Sequence, residues 1–141
     1  MTVEAYTYLY WENIARYVQK TKDACDGIPI KRVWIDCEEE LGVWSPQMVL
    51  ARIHYFADAI GAIWPIGIYT NFDFWFNKLG NPSDFSDLPL WFAHPNGEPN
   101  FDDYEALKIG GWDKPYMKQY AFDTKIGTLN CDLNVRYGTL A

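Results

Sequence analysis

The run Trp34-Ile35-Asp36-Cys37-Glu38-Glu39-Glu40 holds the most chemically capable residues of the chain. It closes the segment Ile30 to Asp36, whose β-branched and aromatic content predicts a strand. Side chains alternate across a strand, so Asp36 and Glu38 share one face while Cys37 points to the other. At about 3.3 Å per residue their Cα atoms stand roughly 6.6 Å apart. Two carboxylates that close repel when both are ionised, and one keeps its proton to higher pH. Such a pair gives one site both an acid and a base near neutrality. The competing reading is a solvated acidic turn, and Glu39 and Glu40 are read as solvated in either case. A second acidic position ends the last predicted strand, Asn130-Cys131-Asp132-Leu133-Asn134. Alternation sets Asn130, Asp132 and Asn134 on one face and Cys131 and Leu133 on the other. Alone, Asp132 reads as a cap or turn residue; beside Asp36 and Glu38 it becomes a third wall of an acidic pocket.

Other chemistries find less support. His54 falls in a predicted helix and His94 in a loop, neither beside a recognisable nucleophile motif, which leaves them surface or supporting roles. Neither phosphate-binding glycine loop, G-x-x-x-x-G-K-[ST] or G-x-G-x-x-G, occurs. Cys25, Cys37 and Cys131 are odd in number and lack metal-ligand spacing, so reduced, buried thiols are expected and no zinc site. No metal or organic cofactor is called for.

These residues need a scaffold, and the chain alternates strand and helix signals. Val3 to Leu9, Ile30 to Asp36, Trp64 to Thr70, Leu88 to Ala93, Pro115 to Tyr120 and Leu129 to Asn134 read as strands. Trp11 to Asp26, stopped by Gly27, reads as a helix, and so does the segment from Ser45-Pro46 to Gly61, where Ser45 is an N-cap and Pro46 the first helical residue. Phe72 to Leu79 reads as a short aromatic helix or turn, Asn81 to Asp87 as a loop, and His94 to Gly111 as a polar connection with one helical turn near Tyr104 to Leu107. The pattern predicts an α/β fold: an incomplete or shortened (β/α) barrel of about six mostly parallel strands. A full eightfold barrel takes over ~200 residues. Active sites of parallel α/β folds gather at the carboxyl ends of the strands, where Asp36 lies.

With 141 residues the chain is expected to form one domain with a real core. A net charge of −7 argues against nucleic acid as a partner. No apolar run suits a membrane span, and the first ten residues do not read as a signal peptide. Aromatic residues make up 18% of the chain, which suits both a core of large side chains and a cleft lined with flat rings on which sugars stack.

The ordered motifs Trp34-Ile35-Asp36-Cys37-Glu38, Ile66-Gly67-Ile68-Tyr69-Thr70, Leu88-Pro89-Leu90-Trp91-Phe92-Ala93, Lys118-Gln119-Tyr120 and Cys131-Asp132-Leu133-Asn134 resemble those of the glycoside hydrolase family 25 lysozymes. The resemblance runs from about Ala5 to Gly138. It implies a barrel-like N-acetylmuramidase that cleaves the β-1,4 bond between N-acetylmuramic acid and N-acetylglucosamine. By the same match Glu38 is the general acid, Asp36 supports charge building at the sugar, and Asp132 tunes Glu38 and holds substrate. Tyr69 and Trp91 contact sugar, and Tyr8, Gln119 and Asn134 join them as substrate-binding residues.

Family members are longer and carry a further aspartate on an opening strand, whereas here Met1 begins near the third strand of the family pattern. Thr7 stands where a histidine is usual, and Glu12 is the nearest carboxylate that could replace the aspartate. Unpaired barrel edges predict a homodimer, or loops folded over the gap. The partner implied is the peptidoglycan glycan strand. The resemblance further implies a protein made in the cytoplasm, phage-encoded or exported by another route, that acts on the bacterial cell wall. The alternative is a non-catalytic glycan-binding module, or an inactive fragment of a longer phage or bacterial protein.

Overall fold

The computed structural model describes residues 2–137; Met1 and Gly138, the far end of the resemblance, lie outside the described residues. The strands are β1 (Val3–Tyr8), β2 (Ile30–Asp36), β3 (Ile66–Thr70), β4 (Leu90–Ala93), β5 (Met117–Ile126) and β6 (Leu129–Arg136). The helices are α1 (Ile14–Cys25) and α2 (Pro46–Gly61). The strands form one sheet in chain order, β1 to β5 parallel and β5–β6 antiparallel, curled into a half-barrel. The expected mostly parallel, six-stranded α/β architecture is therefore present.

Alternation divides the sheet into two chemical faces. Val33, Ile35, Cys37, Ile68, Leu90 and Phe92 are fully buried in one core. Val49, Ile53, Phe56, Ala57 and Ile60 of α2 belong to the same core, one apolar helix stripe laid against the sheet. The start of α2 follows its local signals: the Ser45 side chain accepts a hydrogen bond from the Met48 amide at 3.2 Å, and Pro46 needs no amide partner at the first position.

The opposite face is concave and lined by Trp34, Tyr69 and Trp91. Trp34 lies flat against Gly67, where a Cβ would come within 2.4 Å of its ring; only glycine admits the tryptophan there. Trp34 meets Trp91 edge-on at 5.6 Å, which makes an aromatic floor. Both readings of the aromatic content hold: Trp75, Phe56, Phe74 and Phe92 fill the core while other rings face the concavity.

Several boundaries differ from the sequence reading. Helix α1 starts at Ile14 rather than Trp11, because Asn13 adopts a left-handed conformation (φ 56°) and the Trp11 indole is buried, donating to the Glu39 carbonyl at 3.0 Å. The aromatic segment is a π-helical turn, Asp73–Lys78, tied down by Trp75 Nε1 donating to the Pro82 carbonyl at 2.9 Å. The last two strands are longer than expected and form a hairpin, turned at Gly127 with φ 62°. Cys25 and Cys37 are free and buried as expected, but Cys131 is only half-buried, since it lies on the exposed hairpin. The outer edges of β1 and β6 carry no strand partner among the described residues.

Candidate active site

Parallel pairing aligns residues far apart in sequence into one row across the sheet. Tyr8 pairs with Asp36, Asp36 with Tyr69, and Tyr69 with Trp91, at or near the carboxyl ends of four successive strands. Beside that row the concave face encloses a cavity of about 360 Å³, within the ~300–1,000 Å³ of ordinary small-molecule sites. Its walls include Asp36, Glu38, Asp132, Tyr8, Tyr69, Trp91 and Gln119, so the structure brings together seven of the eight residues singled out from sequence. Asn134, the eighth, stands behind the wall and accepts a hydrogen bond from Trp91 Nε1 at 2.8 Å.

A polar chain fixes the far wall. Tyr69 Oη donates to Gln119 Oε1 at 2.5 Å, and Gln119 Nε2 donates to Asp132 Oδ2 at 3.0 Å. The other oxygen of Asp132 accepts the Asp123 backbone amide at 3.0 Å, where Asp123 sits in a left-handed conformation at a register shift of β5. The bulge therefore aims Asp132 at the cavity. On the near wall Tyr8 Oη donates to Glu39 Oε2 at 2.6 Å. Glu39 is thus a supporting partner rather than the solvated residue expected. Glu40 is exposed, as expected, and pairs with Lys78 at 2.5 Å.

The carboxylate pair carries the electrostatics. Asp36 is buried, and its Oδ1 receives no hydrogen bond from the described residues. A protonated, neutral Asp36 lowers the cost of leaving that oxygen unpaired in a buried site. Burial first, then the charge of Glu38 and the hydrogen bond to it, raise Asp36 from its ordinary 3.8 to about 8. Burial and the same carboxylates also push the Tyr69 hydroxyl up, which keeps it a hydrogen-bond donor at neutral pH. Cys37 beneath is fully buried and its thiol is pushed up by burial, then by Asp36 and Glu38, so it stays protonated.

The raised Asp36 carboxyl has a measurable consequence. Between about pH 4 and pH 8 the folded protein holds a proton that the unfolded chain has released, so stability falls as pH rises through that window. The expected loss is on the order of a few kcal/mol, at ~1.4 kcal/mol for each tenfold difference in proton affinity between the folded and unfolded chain. The isosteric change Asp36→Asn removes the titration and flattens the profile, leaving the variant more stable than wild type at the alkaline end. Urea unfolding at the two ends of the window measures this, and equal slopes for both proteins would refute the assignment.

Some residues behave otherwise than the sequence suggested. Thr7, in the position where the resemblance calls for histidine, bonds Thr21 of α1 at 2.8 Å. Glu12 is exposed on a separate depression with Tyr10, Asn13 and Arg16, so it supplies no carboxylate to the site. Tyr6, which sequence reasoning misses, lines the cavity and is 68% exposed. Its spacing of two from Tyr8 on one strand is the available signal.

A family model described as "Lys-1: Lysozyme-like protein 1" matches residues 10–120. Among curated proteins, the chain is 35% identical over 118 residues to Counting factor 50 of Dictyostelium discoideum, covering 81% of this chain and 38% of that protein. It is 31% identical to Probable GH family 25 lysozyme 3 of the same organism, covering 77% of this chain and 23% of the relative. The chain thus spans well under half the length of these relatives. A family 25 glycosyl hydrolase from Bacillus anthracis superposes with a TM-score of 0.76 at 14% identity, over 99% of this chain and 65% of that one. The CTP1L endolysin gives 0.68 at 16% identity, over 96% and 47%. These structures share the fold. The curated relatives named here are Dictyostelium proteins, which lends no support to a phage or bacterial origin. No helix among the described residues is long and apolar enough to cross a membrane.

Proposed function

We propose, from the premise that this chain belongs to the lysozyme-like proteins of glycoside hydrolase family 25, that it hydrolyses the β-1,4 bond between N-acetylmuramic acid and N-acetylglucosamine in peptidoglycan, working as a single domain. The observation that carries this reading is the Asp36–Glu38 pair, at the carboxyl end of β2 beside an aromatic wall. Glycosidic cleavage needs a carboxylic acid to protonate the departing oxygen and negative charge near the sugar carbon that loses it. In this reading Glu38 is the acid and Asp36 faces the developing charge. At neutral pH the proton of the pair rests on the raised Asp36; its passage to Glu38 arms the acid and leaves Asp36 as the charge that faces the sugar. Asp132, held by Gln119 and the Asp123 amide, orients substrate and adds negative potential toward Glu38. Tyr69 and Trp91, near-perpendicular at 4.7 Å, offer ring faces and edges to a sugar, with Tyr8 and Gln119 completing the contacts and Asn134 bracing the Trp91 indole.

Digestion of purified peptidoglycan, followed by mass analysis of the soluble products, tests the bond cleaved. Fragments ending in reducing N-acetylmuramic acid are expected; reducing N-acetylglucosamine ends would overturn the assignment. A second reading, a glycan-binding module without catalysis, draws on one observation. Among the described residues the cavity holds three carboxylates, Asp36, Glu38 and Asp132, and not the further aspartate of the family pattern. Walls bound but not solubilised would favour it. The open edges of β1 and β6 support pairing with a second copy, and sedimentation as a monomer would rule the homodimer out. The site of action in this reading is the bacterial cell wall.

A further inference from the structure

At the opposite end of the sheet from the carboxylate pair, a separate cavity of about 650 Å³ opens beside Arg32, near the start of β2. Its walls include Leu88 and Pro89, which lead into β4, and Pro115 and Tyr116, which lead into β5. It shares no residue with the cavity of Asp36 and Glu38. Three bonds and contacts hold its aromatic walls in place. Trp112 Nε1 donates to the Leu88 carbonyl at 2.8 Å, Tyr116 Oη accepts from Arg136 Nη1 at 3.0 Å, and Tyr137 stacks on Phe101 at 4.0 Å.

Arg32 leaves its donors unmade. Its side chain is only 17% exposed, and both Nε and Nη1 are buried without a hydrogen-bond partner among the described residues. These two nitrogens carry three of the five protons of a guanidinium. The carboxylate beside them does not fill the need: Glu4 Oε1 stands 3.8 Å from Nη1, and Oε2 accepts the Trp34 indole at 2.7 Å. The guanidinium lies 5.3 Å from the Trp34 ring centre and 5.0 Å from that of Tyr116. Attraction to the rings offsets part of the cost of burial but satisfies no donor. Since a guanidinium grips a carboxylate with two adjacent nitrogens, every such grip uses either Nε or Nη1. The unmade donors of Arg32 are therefore those that an entering carboxylate would take.

The other charges on the wall narrow the class of ligand. Lys114 adds a second cation, while Asp87 and Asp113 add two carboxylates. A polyanion would be drawn to one pair and repelled by the other, whereas a ligand with one anionic and one cationic end complements both. Between the charges, the Tyr116 and Tyr137 rings offer flat apolar faces. We propose that this cavity binds a short peptide with free ends, its carboxylate gripped by Arg32 beside Lys114, its ammonium toward Asp87 and Asp113, and its apolar groups against Tyr116 and Tyr137. This inference does not rest on the muramidase reading, because the two cavities have no residue in common.

The test is calorimetric titration of the chain with a free alanine tripeptide, beside its C-amidated and N-acetylated forms. The free tripeptide is expected to bind, and amidation to weaken it by about tenfold or more, the range for a lost hydrogen bond to a charged group. Acetylation should weaken it to a lesser degree, since Asp87 and Asp113 are exposed. Arg32→Lys keeps the cation but not the planar fork, and should lower affinity for the free tripeptide while leaving that for the amide unchanged. Lys114→Ala alters an exposed side chain, so it keeps the test decisive if the change at residue 32 disturbs folding; it should also weaken the free tripeptide and not the amide. No binding of the free tripeptide, equal binding of acid and amide, or wild-type affinity in the folded variants would overturn the proposal. Acetate binding as tightly as the tripeptide would overturn the assignment of a peptide.

Discussion

Glu38→Gln is expected to slow solubilisation of purified Gram-positive cell walls by about a hundredfold or more, the range of a lost general acid, while wall binding stays within a few-fold. Glutamine matches the shape of glutamate and still hydrogen-bonds, but it has no proton to give at neutral pH. The loss is large because, of the carboxyl groups lining the site, Glu38 is the one assigned to protonate the departing oxygen, and it lines both the cavity of Asp36 and a second cavity of about 470 Å³ beside it. Asp36 does not substitute for it. Its side chain is buried at the end of β2, and without the charge of Glu38 it loses one cause of its raised pKa while burial remains. Loss of turbidity with time, wild type beside variant, gives the answer. Equal lysis by both would remove Glu38 from the role of acid. Lysis by neither, with walls still pulled down, would turn the protein into a binding module.

Lys118→Met should cost about 3–5 kcal/mol of stability, the range for breaking one side of a buried ion pair. Lys118 is fully buried on β5, with Nζ 2.9 Å from Asp103 Oδ1, 3.0 Å from Asn96 Oδ1, 2.9 Å from the Asn100 carbonyl and 3.2 Å from the Glu98 carbonyl. An ammonium has three protons, so four acceptors share them. Methionine fills nearly the same volume and leaves all four acceptors without their donor, one of them a carboxylate. For a domain whose total stability is of order 5–15 kcal/mol the loss is severe. Urea denaturation reads it as a lowered midpoint, with faster proteolysis of the connection after β4 as a second readout. A loss under about 1 kcal/mol would mean that the loop opens and rehydrates those groups at little cost, and the cage would then be incidental to the fold.

What the sequence disclosed was whatever strand alternation controls. Asp36 and Glu38 inward and Cys37 into the core follow from a period of two, and the structure obeys it. The cap at Ser45 and the turn at Tyr104–Leu107 were equally local. The motif Lys118-Gln119-Tyr120 was visible, but the burial of Lys118 was not, because its acceptors arrive from a loop 15 to 22 residues earlier. The π-helical turn depends on where the buried Trp75 finds an acceptor, again a tertiary fact. His94 looks unpartnered in the sequence for a related reason: Asp103, which bonds both its Nδ1 and the Lys118 ammonium, comes from a loop nine residues later.

The strand order has a consequence for the way this molecule comes into being. Because each strand pairs with the next in the chain, each parallel ladder joins residues roughly 22 to 33 apart, and no early segment waits for a distant late one. The entropy of closing them grows only slowly with length, although parallel pairing forms more slowly than the closing hairpin. During synthesis the sheet grows one strand at a time from its amino-terminal edge. The Asp36–Glu38 pair is laid down at the end of β2, the aromatic wall with β3 and β4, and Asp132 last, when the hairpin folds back. Chains halted before the hairpin would hold Asp36 and Glu38 without Asp132, so on the proposed function a complete site arrives only with β6.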